Sequence, residues 1–169
     1  MDQESIEESF HIVLCYFDEV IGPELVTVSP KFTNPLSEKI LGLLPSLMDI
    51  QDEILLREPF IFSNPYFMSY NLIFRVPRSS ARGGTDDYMV SIVLTPSDAR
   101  GLIVLSGLRD LLPTLRDGIV KLLYESQERD VREEVEKVFE GFIEPLGLFI
   151  ETQNEIWGKG SFRIGDFFS

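Results

Sequence analysis

The chain is poor in the residues from which most catalytic and metal centres are built. Its 169 residues include one cysteine and one histidine. A lone Cys15 excludes an internal disulfide and any multi-cysteine zinc site, and inside an apolar segment it reads as a small buried hydrophobe. His11 shares that segment. If it is a strand, the two side chains lie on one face about 13 Å apart, too far for a nucleophile and its base. Gly-x-Ser-x-Gly, Gly-x-x-x-x-Gly-Lys and His-Glu-x-x-His are all missing from the sequence. Asp86-Asp87 and Glu133-Glu134 offer oxygen ligands, but solvated surface charge explains them at least as well. No cofactor and no metal is expected, and a self-contained enzyme is disfavoured.

Basic residues are also scarce. Lys and Arg total 15 against 28 Asp and Glu, giving a net charge of −13 and a pI near 4.4. Such a charge repels phosphate backbones and anionic lipid headgroups, so no nucleic-acid partner and no direct docking on an anionic membrane is expected. A partner with a basic patch is the natural complement; that the charge only maintains solubility stays open. No apolar run reaches the roughly 18 residues of a membrane span. Met1 to Glu8 is acidic and lacks the basic and apolar blocks of a signal peptide. The expected location is cytoplasmic.

What the chain does contain is enough apolar material for one domain. Hydrophobic residues make up 44%, with 13 phenylalanines, and a chain near this length buries roughly 70% of its unfolded surface. No repeat divides it. The expected organisation is a flexible acidic segment over residues 1–9, a domain over 10–150, and an aromatic, Gly-rich extension over 151–169 that docks on the domain or adds a strand.

Ile12 to Val28 is the most informative stretch. It reads as a strand, a six-residue turn closed by Gly22-Pro23, and a second strand. His11, Val13, Cys15 and Phe17 fall on one face of the first strand, and Ile12, Leu14 and Tyr16 on the other. A strand apolar on both faces is covered on both faces. Asn34-Pro35 then reads as an N-cap with proline at the first helical position. Leu36, Ile40, Leu43, Leu44 and Leu47 follow at helical spacing, with Pro45 expected to kink or divide the helix. Phe60 to Ser63 reads as a short edge strand, set off by Pro65 from a longer strand in which Met68, Tyr70, Leu72, Phe74 and Val76 alternate with polar residues. A polar, Gly-rich connection, Pro77 to Asp87, leads to a strand over Tyr88 to Leu94. The rest is helical: Leu108, Leu111, Leu112, Leu115, Ile119, Leu122 and Leu123 form a stripe interrupted at Pro113. Val131, Val135, Val138 and Phe142 form a narrower seam in a charged helix. Antiparallel strands flanked by helices define an α+β fold.

The order of elements over roughly residues 10–145, with Phe17, Asp18, Gly22 and Pro23 in an aromatic-Asp-x-x-x-Gly-Pro hairpin, resembles the longin domain superfamily. More narrowly, it is similar to the longin modules of folliculin, nitrogen permease regulator-like proteins and DENN-type regulators. The resemblance implies a three-layer α/β/α sandwich, with a mostly antiparallel central sheet of about five strands and helices on both faces. It also implies a protein-interaction module that regulates or scaffolds a small Ras-like GTPase, as a homodimer or paired with another longin or roadblock subunit. A vesicle-trafficking or assembly adaptor is the alternative. The residues themselves give Gly22 and Pro23 a backbone role: Gly accommodates positive φ and Pro fixes the start of the next strand.

The same resemblance implies a GTPase-activating arginine on a loop, and Arg82 is the candidate, with Arg78 second. An arginine finger stabilises charge developing on the transferred phosphoryl group and contributes about 10³–10⁵ in rate. The alternative is an ordinary loop arginine pairing with Asp86 or Asp87, an interaction of about 0–1 kcal/mol.

Overall fold

The computed structural model describes residues 9–49, 58–77, 84–95, 107–126 and 130–158. Within them the chain forms five strands: β1 (Ser9–Asp18), β2 (Gly22–Ser29), β3 (Phe60–Ser63), β4 (Met68–Pro77) and β5 (Thr85–Thr95). Three α-helices accompany them: α1 (Pro35–Leu41), α2 (Leu111–Ser126) and α3 (Arg132–Gly158), with a 3₁₀ helix over Leu44–Asp49. The strands make one antiparallel sheet in the order β2-β1-β5-β4-β3. The fold is α+β.

The two-faced pattern of β1 has a direct structural counterpart. β1 lies between β2 and β5, and Ile12, Val13, Leu14 and Cys15 are all buried. Its alternate side chains feed two separate apolar clusters. Ile12 and Leu14 join Tyr70, Leu72, Val90 and Ile92 against Leu112, Leu115 and Ile119 of α2 and Val135 and Phe139 of α3. Val13 and Cys15 join Ile73, Met89 and Val93 against Leu41 of α1, Leu44 and Leu47 of the 3₁₀ helix, and Phe67. Because successive strand side chains point to opposite faces, the two clusters sit on opposite sides of the sheet.

Local chemistry explains most element boundaries. Asn34 caps α1: its carboxamide oxygen accepts the Leu36 N–H at 2.9 Å, and its carbonyl accepts the Glu38 N–H at 3.1 Å. Pro45 does divide the first helical stretch, since α1 stops at Leu41 and Leu44–Asp49 winds as a 3₁₀ helix. Leu43, at that junction, is 65% exposed and leaves the expected stripe, while Leu41 is buried in its place. Asn64 makes the β3–β4 turn, its side-chain oxygen accepting the Tyr66 and Phe67 N–H groups at 2.8 and 2.9 Å.

Other expectations need correction. The β1–β2 turn has three residues, not six, because Asp18 already pairs with Gly22 and Phe17 with Pro23. Proline is accommodated there because β2 is an edge strand. β4 and β5 extend further than the alternating patches indicated, with Pro77 opposite Thr85, so the connection between them is much shorter than Pro77 to Asp87. Pro113 sits in the first turn of α2, where a missing N–H interrupts nothing. The charged helix carries Phe139, fully buried, rather than Val138 at its centre. It continues past Pro145 and through residue 150 to Gly158, so Trp157 is helical. The remainder of the expected extension, 159–169, lies outside the described residues, as do residues 1–8 of the acidic segment expected over 1–9, whose last residue, Ser9, instead opens β1.

Of the polar residues that alternate along β4, Arg75 is exposed, but Ser69 and Asn71 do not face water. Ser69, Asn71 and Ser91 are fully buried. Ser91 donates its hydroxyl to the Asn71 carboxamide oxygen at 2.6 Å, and the Asn71 amide donates to the Ser69 hydroxyl at 3.0 Å and the Phe60 carbonyl at 3.3 Å. The group is satisfied internally, which is what makes its burial tolerable. It also ties the short edge strand β3 to the sheet interior.

Candidate functional site

The β1–β2 turn, the paired ends of β4 and β5, and the facing ends of α2 and α3 lie at a single end of the sheet. β1 ends there at Asp18, and β5 runs alongside it with Phe17 opposite Asp87. The β4–β5 connection therefore leaves the sheet beside the β1–β2 turn. The end of α2 and the start of α3 close the same end, since Leu123, Asp130, Val131 and Arg132 share a cleft with Tyr16, Glu24 and Tyr88. Connections brought together on a rigid sheet are where binding residues concentrate.

The β1–β2 turn is built from its own sequence. The Asp18 carboxylate accepts the N–H groups of Val20 at 2.8 Å and Ile21 at 2.9 Å. These two bonds, that from Ile21 first, hold the Asp18 pKa below the usual carboxylate range. Gly22 takes φ +96°, a conformation that L side chains rarely adopt, and Pro23 follows in the edge strand. The consequence is that Val20 and Ile21 stand out at the tip, 93% and 75% exposed. Phe17 turns inward and packs against the cluster under α1.

Beside the turn the sheet carries an aromatic row. Tyr16 and Tyr88 have ring centroids 5.1 Å apart, and Phe74 stacks on Tyr88 at 5.9 Å. The Tyr16 hydroxyl donates to the Asp86 carboxylate at 3.4 Å, and Arg75 pairs with Asp87 at 3.1 Å. The adjoining cleft measures about 220 Å³, below the roughly 300–1,000 Å³ of small-molecule sites. Its size suits one inserted side chain better than a cofactor. A bulge in β2 helps shape it. Thr27 pairs with Leu14 and Leu25 with Cys15, so Val26 is the extra residue. Thr27 in turn donates to Glu136 of α3 at 3.0 Å, holding the helix against the edge strand.

Both arginine candidates, Arg82 and Arg78, lie outside the described residues. The neighbouring elements nonetheless fix their chain positions: Arg78 follows the last residue of β4, and Arg82 precedes β5 by three residues. Arg82 is thus closer to its strand than a strand beginning at Tyr88 implied. Asp87, one of the two acidic partners expected for it, is engaged by Arg75.

The remaining candidate groups have structural explanations. Burial pushes the Cys15 thiol up to about 12, so at neutral pH it is protonated and a poor nucleophile. His11 donates its Nδ1–H to the Pro30 carbonyl oxygen at 2.6 Å and meets the Phe32 ring edge-on at 5.0 Å. Burial lowers its pKa, with the Pro30 contact opposing that shift. Glu133 and Glu134 fall in the first turn of α3, where the helix dipole favours carboxylates. Among the described residues no group of three or more His, Cys, Asp or Glu side chains is placed to hold a metal ion. None of the described helices is long and apolar enough to cross a membrane.

Sequence reasoning missed the exposed tip and the cleft. Two consecutive β-branched residues inside a turn, Val20-Ile21 between Glu19 and Gly22, are the available signal for the first. The cleft has no such signal, because its walls come from five elements, β1, β2, β5, α2 and α3, spread along the chain. No protein-family model matches the chain, and a search of curated proteins finds no relative.

Proposed function

We propose that this protein is a longin-like interaction module that regulates or scaffolds a small Ras-like GTPase in the cytoplasm, as a homodimer or with another longin or roadblock subunit. The observation that carries the reading is the combination of hairpin and sheet. The Phe17-Asp18 to Gly22-Pro23 turn opens a five-stranded antiparallel sheet, with apolar clusters under α1 on one face and under α2 and α3 on the other. That arrangement supports the three-layer longin-like sandwich. The convergence of connections beside a small cleft supports protein binding rather than turnover of a small substrate.

A second reading is supported by the sequence position of Arg82, three residues before β5 begins. In it the protein acts in trans as a GTPase-activating subunit, with Arg82 as the finger and Arg78 as the reserve. A trafficking or assembly adaptor without GTPase contact is the third.

GTP hydrolysis by Ras-like GTPases, with and without this protein, together with co-elution on a sizing column, separates the three. The scaffold reading expects co-elution without stimulation. Stimulation of about 10³-fold or more, lost in Arg82→Ala, would establish the activator. Neither signal across the GTPases would leave the adaptor.

A further inference from the structure

We infer that Val20 and Ile21 form the anchor by which this protein docks, inserting into an apolar pocket rimmed by Lys and Arg on its GTPase partner; the inference rests on the GTPase reading above. Single exposed apolar side chains are ordinary. These two are adjacent, the most exposed large hydrophobics among the described residues, and carried at the apex of a hairpin. They are also held in place. Two backbone N–H groups of the tip are bonded to the Asp18 carboxylate, and Asp18 pairs with Gly22 directly below. A preordered tip gives up little conformational freedom on docking, which is the condition under which a small apolar anchor contributes strongly to affinity.

Charge selects the kind of partner. The hairpin from Ser9 to Ser29 contains no Lys and no Arg, and around the tip it presents Asp18, Glu19 and Glu24, the last two exposed. An apolar point ringed by carboxylates complements an apolar pocket with a basic rim. The same carboxylates, on a chain of net charge −13, oppose insertion of the tip into an anionic leaflet. The exposed apolar pair and the acidic ring therefore divide the work: the first sets how long the complex lasts, the second how fast and with whom it forms.

The test is binding of the co-eluting Ras-like GTPase to the full chain and its variants, with circular dichroism confirming that each variant is folded. Val20→Asp/Ile21→Asp is expected to weaken binding at least about tenfold, through faster dissociation. Glu19→Gln/Glu24→Gln is expected to slow association and flatten its salt dependence. Leu43→Asp, at an exposed apolar site elsewhere, is expected to bind as the wild type does. Unchanged affinity in the tip variant would overturn the inference while leaving the GTPase reading intact. Failure of every GTPase to co-elute with the wild type would remove both. Co-sedimentation with phosphatidylcholine vesicles that depends on Val20 and Ile21 would overturn it in favour of a lipid-inserting tip.

Discussion

The Ser91 hydroxyl donates to the Asn71 carboxamide oxygen at 2.6 Å between β5 and β4, with both residues wholly removed from solvent. Asn71 and Ser91 are register partners in the sheet, and the Asn71 amide reaches on to Ser69 and to the β3 backbone. Removing the donor leaves a buried acceptor unmet. Ser91→Ala is expected to cost about 1–3 kcal/mol, read as a lower urea midpoint. Asn71→Ala/Ser91→Ala should cost less than the sum of the single changes, because the two residues share one network.

Phe139 and Leu148 lie on the same helix and should respond very differently. Phe139 is fully buried between α3 and the sheet, whereas Leu148 is 64% exposed. Phe139→Ala is expected to destabilise by about 3–5 kcal/mol through lost burial and the cavity left behind. Leu148→Ala should stay within about 0.5 kcal/mol of the wild type. Thermal unfolding of the two variants side by side checks the assignment of the buried face of α3.

Gly22 tests whether the tip is held by backbone conformation. A Cβ there would meet nothing within 4 Å, but φ is +96°. Gly22→Ala is therefore expected to cost about 1–2 kcal/mol from conformation alone, with no steric clash. The measurement is urea unfolding, with backbone NMR shifts of Val20 and Ile21 reporting any change in the turn.

His11 introduces a pH dependence of known sign. Its folded pKa is lowered by burial, so as pH falls the unfolded chain takes up the proton first, near the ordinary value of about 6.5. The His11 contribution is expected to be neutral above that pH, to reduce stability below it, and to level off once the lower folded pKa is passed. Urea midpoints between pH 7.5 and 5 should slope downward in the wild type, and His11→Asn should flatten that slope whatever its absolute stability.

Cys15 gives an independent check on the interior of β1. With the thiol buried and its pKa pushed up to about 12, an aromatic disulfide reagent at pH 8 is expected to leave the folded protein unmodified. In urea it should titrate one thiol per chain. Rapid reaction of the folded protein would show that β1 is not covered on the face shared with α1.

The sequence by itself determined those features whose causes are local. A run apolar on both faces marked β1 and period-two alternation marked β4, Asn34-Pro35 started α1, Pro45 divided the helical stretch, and Gly22-Pro23 set the hairpin. Each follows from a steric or hydrogen-bonding preference acting over a few residues. Tertiary structure alone decided what depends on partners far along the chain. Nothing local marks Ser69 and Asn71 as buried, since polar residues alternating with apolar ones usually face water, yet Ser91 and the β3 backbone give them internal bonds. The burial of Phe139 in place of Val138 depends on how α3 crosses the sheet, and the extra residue Val26 in β2 depends on its register with β1. The candidate site belongs to this second class. Val20 and Ile21 are apolar wherever they stand; they become an exposed tip beside an acidic rim and a cleft only because strand pairing brings separate connections to one end of the sheet.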